Sequence, residues 1–140
     1  MPLIPLTGDR VTEIEALLKA SHGSPSGAKA AATEYREGRW ALYAWSDGVS
    51  ILGCIGIERQ IDGSVIRSLS VKPSHRLAGV GRSMVEALLA DAQWIEAETD
   101  ADAVGFYEQV GFTVTSLGES YPGVERFRCV RASFDVRGHS

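Results

Sequence analysis

The residues from Arg76 to Arg82 have the types and the spacing of a phosphate-binding turn. Gly79 and Gly81 stand two apart, an arginine lies on either side, and an amphipathic helical pattern follows at once. A turn that opens a helix presents backbone N–H groups without helical partners and the positive end of the helix dipole. Glycines let a ligand approach that backbone, and arginines add charge-assisted hydrogen bonds. The segment therefore predicts a pyrophosphate cradle; the alternative is a glycine turn that serves packing alone.

This turn matches neither of two common phosphate motifs. It lacks the G-x-x-x-x-G-K-[ST] spacing of a Walker loop and the G-x-G-x-x-G spacing of a dinucleotide fingerprint. A nucleotide binder of another kind, for which ATP or NAD would compete, is therefore the least supported hypothesis.

The chain around the turn predicts strands and helices in a definite order. Asp47–Gly48 and Asp62–Gly63 separate runs of alternating apolar and polar residues, which predicts an antiparallel meander over 39–46, 50–60 and 64–72. Two helices precede this meander; a helix, a strand at 94–99, a short helix and two closing strands follow it. The strand at 64–72, its helix and the strand at 94–99 form a βαβ unit, so these two strands should be parallel neighbours.

The predicted fold class is α/β (α+β). We expect a mixed, mostly antiparallel sheet of six to seven strands, with a central parallel βαβ unit and helices on both faces. The chain has 140 residues, of which 44% are hydrophobic and 23% are charged, as is typical of a globular domain. We therefore expect one domain over residues 1–134 and a flexible tail over 135–140.

Composition also narrows the classes of partner. The net charge of −4 argues against a nucleic-acid partner, because phosphate contacts need clustered Lys and Arg. The N-terminus shows no signal-peptide pattern and no apolar run approaches a membrane span, so we expect a cytoplasmic protein without a membrane partner. Cys54 and Cys129 are expected to be buried free thiols, and no spacing of His, Cys, Asp or Glu predicts a metal site.

Two motifs occur in order along the chain, separated by one helix and one strand. Residues 76–81 read Arg-Leu-Ala-Gly-Val-Gly and fit the pattern [QR]-x-x-G-x-[GA]. Residues 100–112 read DADAVGFYEQVGF and fit N-x-x-A-x-x-x-Y-E-x-x-G-F, except that Asp100 replaces Asn. Together they resemble the acetyl-CoA motif and the second motif of the GNAT superfamily of acyl-CoA-dependent N-acetyltransferases, in its small bacterial single-domain form. The resemblance implies a GNAT-like version of the predicted sheet, acetyl-CoA as cosubstrate, and a small molecule with a primary amine as acceptor.

The resemblance also implies how acetyl-CoA is held. In the family the central strand splays from its neighbour, and its exposed backbone bonds the pantetheine arm as an added strand would. The Val71 N–H is then the candidate that polarises the thioester carbonyl, and the amides from Leu77 to Arg82 hold the pyrophosphate. The cofactor-binding residues implied in this way are Leu69, Ser70, Val71, Arg76, Leu77, Ala78, Gly79, Val80, Gly81, Arg82 and Asp100.

Two catalytic residues follow from the resemblance and from proton chemistry. Tyr107 is the candidate general acid for the thiolate leaving group; the alternative is a core aromatic on a short helix. The acceptor amine must lose a proton before attack, and we favour Glu98 as the base. The other candidates are Glu58, Glu119 and Glu125, and each carboxylate has the alternative of facing solvent.

A non-catalytic module that binds acetyl-CoA as a sensor is the alternative function. The first two helices and the turn Leu117–Val124 are expected to form the acceptor side. The last strands present an edge that must be paired or covered, which makes a homodimer plausible.

Overall fold

Seven strands form one mixed sheet in this computed structural model, which describes residues 3–76 and 79–132. The strand order is β1-β2-β3-β4-β5-β7-β6. The strands are β1 Ile4–Leu6, β2 Ala41–Ser46, β3 Ile51–Gln60, β4 Gly63–Val71, β5 Trp94–Asp100, β6 Thr113–Tyr121 and β7 Val124–Ala132. The helices are α1 Glu15–His22, α2 Pro25–Arg36, α3 Val80–Leu89 and α4 Val104–Gln109. Leu77, Ala78 and the predicted tail at 135–140 lie outside the described residues.

The strand pairing confirms the predicted fold class. β4 and β5 pair in parallel, with α3 between them in the chain. Every other neighbouring pair is antiparallel, including the predicted meander of β2, β3 and β4. The sheet is therefore mixed and mostly antiparallel, with a central βαβ unit.

Helices cover both faces of the sheet, as predicted. Successive residues of β3 point to opposite faces: Cys54 packs with α1 and α2, whereas Ile55 packs with α3 and α4. Alternation of buried side chains along one strand is what a sheet covered on both faces requires. Cys54 and Cys129 are free and buried, as expected, and burial raises the pKa of the Cys54 thiol to about 12.

An extra residue interrupts β4 at its middle. Gly56 pairs with Ser68 and Ile57 pairs with Ile66, so Arg67 has no partner on β3. Such a bulge bends the strand and reverses which face the following side chains occupy. Ile66 accordingly packs in the α3–α4 core, whereas Ser68 bonds to Tyr35 of α2.

Two segments differ from the sequence-based expectation. The first predicted helix begins as a 3-10 helix, Gly8–Ile14, because Thr7 provides no side-chain cap and Arg10 N–H donates to the Thr7 carbonyl three residues back. The closing strands extend up to a tight turn at Pro122 and Gly123, so the predicted loop before Val124 is largely strand. β6 lies at the sheet edge, and dimerisation through this edge stays a prediction.

Candidate active site

The candidate site lies where β4 and β5 separate. The strands pair from Gly63 and Trp94 to Ile66 and Ala97, although β4 continues to Val71 and β5 to Asp100. The pairing ends at the residue before the bulge, which bends β4 away from its parallel neighbour. A cavity of about 420 Å³ occupies this opening. Its lining residues are Ala20, Leu69, Ser70, Val71, Arg76, Gly81, Asp102, Ala103, Phe106 and Tyr107.

The opening exposes the backbone of alternate residues of β4. Lys72 N–H donates to the Leu52 carbonyl on β3, at 2.8 Å. Because backbone groups alternate in direction along an antiparallel strand, Ser70 also turns its backbone to β3. Leu69 and Val71 therefore turn theirs to the open edge. Of the three predicted backbone contacts, the geometry supports Leu69 and Val71, whereas Ser70 offers the cavity its side chain.

The start of α3 places free amides beside this edge. Ser83 N–H makes the first helical bond, to the Gly79 carbonyl at 2.9 Å. The N–H groups of Val80, Gly81 and Arg82 precede that bond and have no helical acceptor. Gly79 adopts a left-handed conformation with φ of 80°, and a Cβ there would meet no atom within 4 Å. The described part of the predicted cradle, residues 79–82, is therefore an open turn at a helix N-terminus.

Position 81 requires glycine for a different reason, because Phe106 packs closely against it. A Cβ at this position would lie 2.8 Å from Cε1 of Phe106 on α4. Arg82 donates through Nη2 to the Gln109 carbonyl at 2.8 Å, which also joins α3 to α4. Arg76 folds back so that Nε lies 3.4 Å from the Val71 carbonyl. We call the side of the cavity formed by Arg76, Gly81, Asp102, Ala103, Phe106 and Tyr107 the motif wall.

Tyr107 presents a phenol to the cavity with its ring held in the core. The residue is 6% exposed, and its ring packs edge-on against Phe106 and Phe112 at centroid distances of 5.1 Å. No hydrogen bond joins its hydroxyl to another described residue, and the oxygen is not among fully buried atoms lacking a partner. Tyr107 is one of the residues that line the cavity. Burial holds the pKa of the Tyr107 phenol well above its usual value, so the O–H is a donor at neutral pH.

The end of α1 contacts β4 beside the cavity, which Ala20 lines. We call this helix end (Ala20, Ser21 and His22) the α1 wall. Ser21 Oγ accepts a hydrogen bond from the Leu69 N–H at 3.1 Å. His22 Nε2 lies 2.7 Å from Ser68 Oγ, and the same oxygen lies 2.6 Å from the Tyr35 hydroxyl. This chain ties α1 and α2 to β4 directly after the bulge. Burial lowers the pKa of His22, which keeps its ring neutral at pH 7.

Two predicted site residues, Glu98 and Asp100, are not among the residues that line the cavity. Glu98 is not in the cavity lining; its side chain is 58% exposed and pairs with Arg126 at 3.3 Å. Its role as base gains no support from this geometry and stays a prediction. Asp100 Oδ1 accepts from the N–H groups of Asp102 and Ala103, at 3.0 and 3.2 Å, so it organises the turn into α4. Asp102, rather than Asp100, borders the cavity.

Sequence reasoning missed four lining residues. Asp102, Ala103 and Phe106 fall inside the second motif, so the motif itself could have suggested them. Ala20 carries no sequence signal, because its place in the lining depends on how α1 docks on β4. A second cavity, of about 380 Å³, lies between α1 and α2 and contains none of the predicted site residues.

Neither a membrane-spanning helix nor a metal cluster is found within residues 3–76 and 79–132. No helix there is long and apolar enough to cross a membrane. The same residues contain no group of three His, Cys, Asp or Glu placed to hold a metal ion.

Comparisons with known proteins identify the family and the fold of this chain. A family model described as the acetyltransferase (GNAT) domain matches residues 38–114, which is more than half of the chain. The peptidyl-lysine N-acetyltransferase YjaB of Escherichia coli is 38% identical over 71 residues, which are 44% of this chain and 48% of that protein. The chain thus spans about half the length of this relative.

Solved structures of similar fold match nearly the whole chain. The ribosomal-protein-S18-alanine N-acetyltransferase of Escherichia coli superposes with a TM-score of 0.77 at 17% identity, covering 96% of this chain and 94% of that one. An aminoglycoside 6'-N-acetyltransferase complexed with coenzyme A gives a TM-score of 0.76 at 16% identity, with coverage of 90% and 92%. At these identities the likeness shows the fold.

Proposed function

We propose that this chain, which belongs to the acetyltransferase (GNAT) family, is an acetyl-CoA-dependent N-acetyltransferase that acts on a primary amine. The observation that carries the proposal is the opened β4–β5 pair. There, Leu69 and Val71 on the open edge of β4, Gly81 at the start of α3 and Tyr107 on α4 all line one cavity. A phosphate site, a strand-like edge and a proton donor around one cavity suit a phosphorylated thioester.

The residues present fit acetyl-CoA from one end of the cavity to the other. The amides of Val80, Gly81 and Arg82 would hold the pyrophosphate, with added positive charge from Arg76. The open edge of β4 would hold the pantetheine amides as a paired strand does. The predicted contributions of Leu77 and Ala78 concern residues outside the described chain and stay predictions.

Bound acetyl-CoA supplies a thioester that a neutral amine can attack. In the reaction the amine nitrogen forms a bond to the acyl carbon, and the bond from that carbon to sulfur breaks. Tyr107 donates its proton to the departing sulfur, the proton lost by the amine passes to water, and a proton from water then restores the Tyr107 phenol. A thiol has an ordinary pKa of ~8.5, so the departing sulfur carries negative charge at neutral pH. A nearby phenol stabilises this charge by donating a proton.

The proposed acceptor is a small molecule, as predicted from the sequence. Similar proteins are named for a lysine side chain, a protein alanine and an aminoglycoside. These names make protein amines the competing acceptors. A panel of a polyamine, an aminoglycoside, a lysine peptide and a peptide with a free N-terminal alanine would separate the two classes.

The first test is a calorimetric titration with acetyl-CoA of the parent and of Arg76→Glu. We expect micromolar binding by the parent and a loss of at least about tenfold in the variant, because a carboxylate would face the pyrophosphate. Arg76 is exposed, so its replacement should leave the fold intact. Gly81 is a poorer choice, because any side chain there would displace Phe106. Absence of binding by the parent would contradict the proposal.

The second test is turnover of Tyr107→Phe. We expect kcat to fall by about 10²- to 10⁴-fold, the range for loss of a general acid, with acetyl-CoA affinity nearly unchanged. Tyr43→Phe is the matched control, because Tyr43 lies on β2 outside the cavity, where its hydroxyl accepts a hydrogen bond from Arg59. Binding without acetyl transfer to any amine of the panel would favour the sensor module instead.

A further inference from the structure

The second cavity, the one between α1 and α2, has the size of a small-molecule site. Its volume of about 380 Å³ falls in the range of roughly 300–1,000 Å³ that is usual for such sites. Among the described residues, none lines both this cavity and the one at the β4–β5 opening. The proposed N-acetyltransferase reaction therefore leaves the second cavity without a role.

The floor of the second cavity is apolar and buried. Leu18 of α1 is 1% exposed, and Ala28 and Ala32 of α2 are each 6% exposed. Ala28 and Ala32 stand four residues apart, so both lie on the same face of α2. Because their side chains are single methyl groups, α2 leaves space there rather than filling it. The floor suits a short hydrocarbon chain, which is stabilised when it leaves water.

The rim of the second cavity carries charge of mainly one sign. Lys19, Lys29 and Arg36 contribute three positive charges, and Glu15 contributes one negative charge. All four residues are exposed, and none of them forms an ion pair within the part of the chain that the structure describes. The whole chain has a net charge of −4, so this positive excess is local. Cations that meet without a carboxylate repel one another, and an anion between them removes that repulsion.

Most other arginines of the described chain pair with a glutamate. Those in such pairs are Arg10, Arg39, Arg67, Arg126, Arg128 and Arg131. Arg76 and Arg82, beside the predicted phosphate site, form no ion pair with a described residue. The second cavity thus shares one property with the predicted phosphate site, namely cations that no carboxylate of the described chain neutralises.

Lys19 and Lys29 lie at the same end of the second cavity. Gly23 and Ser24 alone separate α1 from α2, and a connection this short makes the two helices run antiparallel. Lys19 stands four residues before Gly23, and Lys29 stands five residues after Ser24. The two ammonium groups can therefore bind one anionic group from opposite sides.

We propose that the second cavity is a binding site for a small aliphatic anion, either a carboxylate or a phosphate monoester. Lys19 and Lys29 bind the anionic group, and the aliphatic chain covers the apolar floor. Arg36 and Glu15 have opposite charges, so the other end of the cavity is close to neutral. The inference goes beyond the proposed function and does not depend on it.

Calorimetric titration of the full chain with octanoate and with octyl phosphate tests the inference. We expect at least one of these anions to bind with a Kd below about 1 mM, and its affinity to be unaffected by saturating CoA. n-Octylamine has the same chain and the opposite charge, so it should bind at least about tenfold more weakly. Equal binding by the amine would overturn the inference. So would absence of binding by both anions, or their displacement by CoA.

Variants that remove one charge locate the site. Lys19→Gln and Lys29→Gln should each weaken binding of the anion several-fold, and the double variant should weaken it at least about tenfold. Both lysines are exposed, so these variants should keep the Tm of the parent. Arg10→Gln is the matched control, because it removes the same charge from an arginine that pairs with Glu13 outside the cavity. An equal loss in this control, or an unchanged Kd in the double variant, would overturn the inference.

Amide chemical shifts report the position of the bound anion independently. Titration with octanoate should shift the backbone N–H signals of Ala28 and Ala32 and leave that of Gly81 unchanged. Shifts confined to Gly81 would show that the probe occupies the candidate active site, and would overturn the inference. Failure of the parent to bind acetyl-CoA would refute the proposed function, and these shifts would still decide the present inference.

Discussion

The two walls of the cavity are built in different ways. The motif wall comes from Arg76, from the start of α3 and from residues 102–107 at the start of α4, and both helix starts form locally. The α1 wall instead depends on hydrogen bonds that join residues 46 and 48 positions apart. The first wall can be recognised from a short pattern. The second exists only once the sheet has formed and α1 has docked on β4.

The difference suggests that the two walls have different roles, one in binding the cosubstrate and the other in binding the acceptor. Under the proposed function the motif wall handles groups that every molecule of acetyl-CoA carries, namely its phosphates and its sulfur. The α1 wall belongs to the two helices that are expected to form the acceptor side. Variation in α1 and α2 could then change the acceptor without disturbing cosubstrate binding.

The strongest way to break the α1 wall is the substitution Gly56→Ala. Tyr35 lies directly over Gly56, and a Cβ there would overlap its hydroxyl and ring. Tyr35 would have to leave its hydrogen bond with Ser68. We expect the free energy of unfolding to fall by about 3 kcal/mol, at the upper end for overpacking a core. Urea unfolding measures this change.

Gly105→Ala is the matched control in α4, the helix that contributes Phe106 and Tyr107 to the motif wall. Gly105 lies within α4, and a Cβ there would meet no atom within 4 Å. Alanine should therefore be neutral or stabilise the protein by about 0.4–1 kcal/mol. Equal destabilisation by the two substitutions would contradict the contrast between the walls.

A smaller change affects the entrance to α4 in the motif wall. Asp100→Ala removes the acceptor for the N–H groups of Asp102 and Ala103, and should cost about 1 kcal/mol of stability. Asp100→Asn keeps an oxygen in that place and should be close to the parent in stability and in acetyl-CoA affinity. A large loss of affinity in Asp100→Asn would show that the carboxylate itself contacts the ligand.

The smallest expected effect is a pH dependence that arises in the α1 wall. Burial lowers the pKa of His22 in the folded protein below its ordinary 6.5. As pH falls through about 6.5, the unfolded chain binds a proton that the folded chain resists, so the free energy of unfolding falls. The loss is complete once the pH is below the lowered pKa. Its neighbours Ser68 and Tyr35 remain uncharged in this window.

His22→Gln tests this dependence. We expect the difference in Tm between pH 7.5 and pH 5.5 to be smaller in the variant than in the parent. The same difference in both proteins would show that another group is responsible.

Much of the architecture could be predicted from local patterns. The two Asp-Gly turns predicted the meander, and the strand–helix–strand order predicted the parallel pair of β4 and β5. The 3-10 start before α1 was missed because a helical apolar pattern does not distinguish the tighter hydrogen bonding. The length of β6 was missed because Pro122 and Gly123 predict a turn without predicting how closely strands approach it.

The residues of the candidate site likewise differ in whether local sequence patterns could predict their positions. The two motifs and their family resemblance were sufficient to predict Arg76, Gly81 and Tyr107, which line one cavity. Spacing could not predict that Asp100 would bond to its own turn or that Glu98 would pair with Arg126, since both depend on where neighbouring chains place their partners. Ser21 and His22 are not part of any sequence motif, because the local sequence of α1 does not indicate that this helix contacts β4.

Arg67 gives this sheet the counterpart of an edge dislocation in a crystal. Arg67 is one extra residue in β4. Beyond it β4 and β5 can diverge, while β4 stays paired with β3. Before Arg67, β4 is an ordinary interior strand held on both sides. After it, alternate residues of the same strand turn their backbone N–H and C=O groups to the open edge, where a ligand can bind. A single residue thus separates the part of the strand that is architecture from the part that is available for binding.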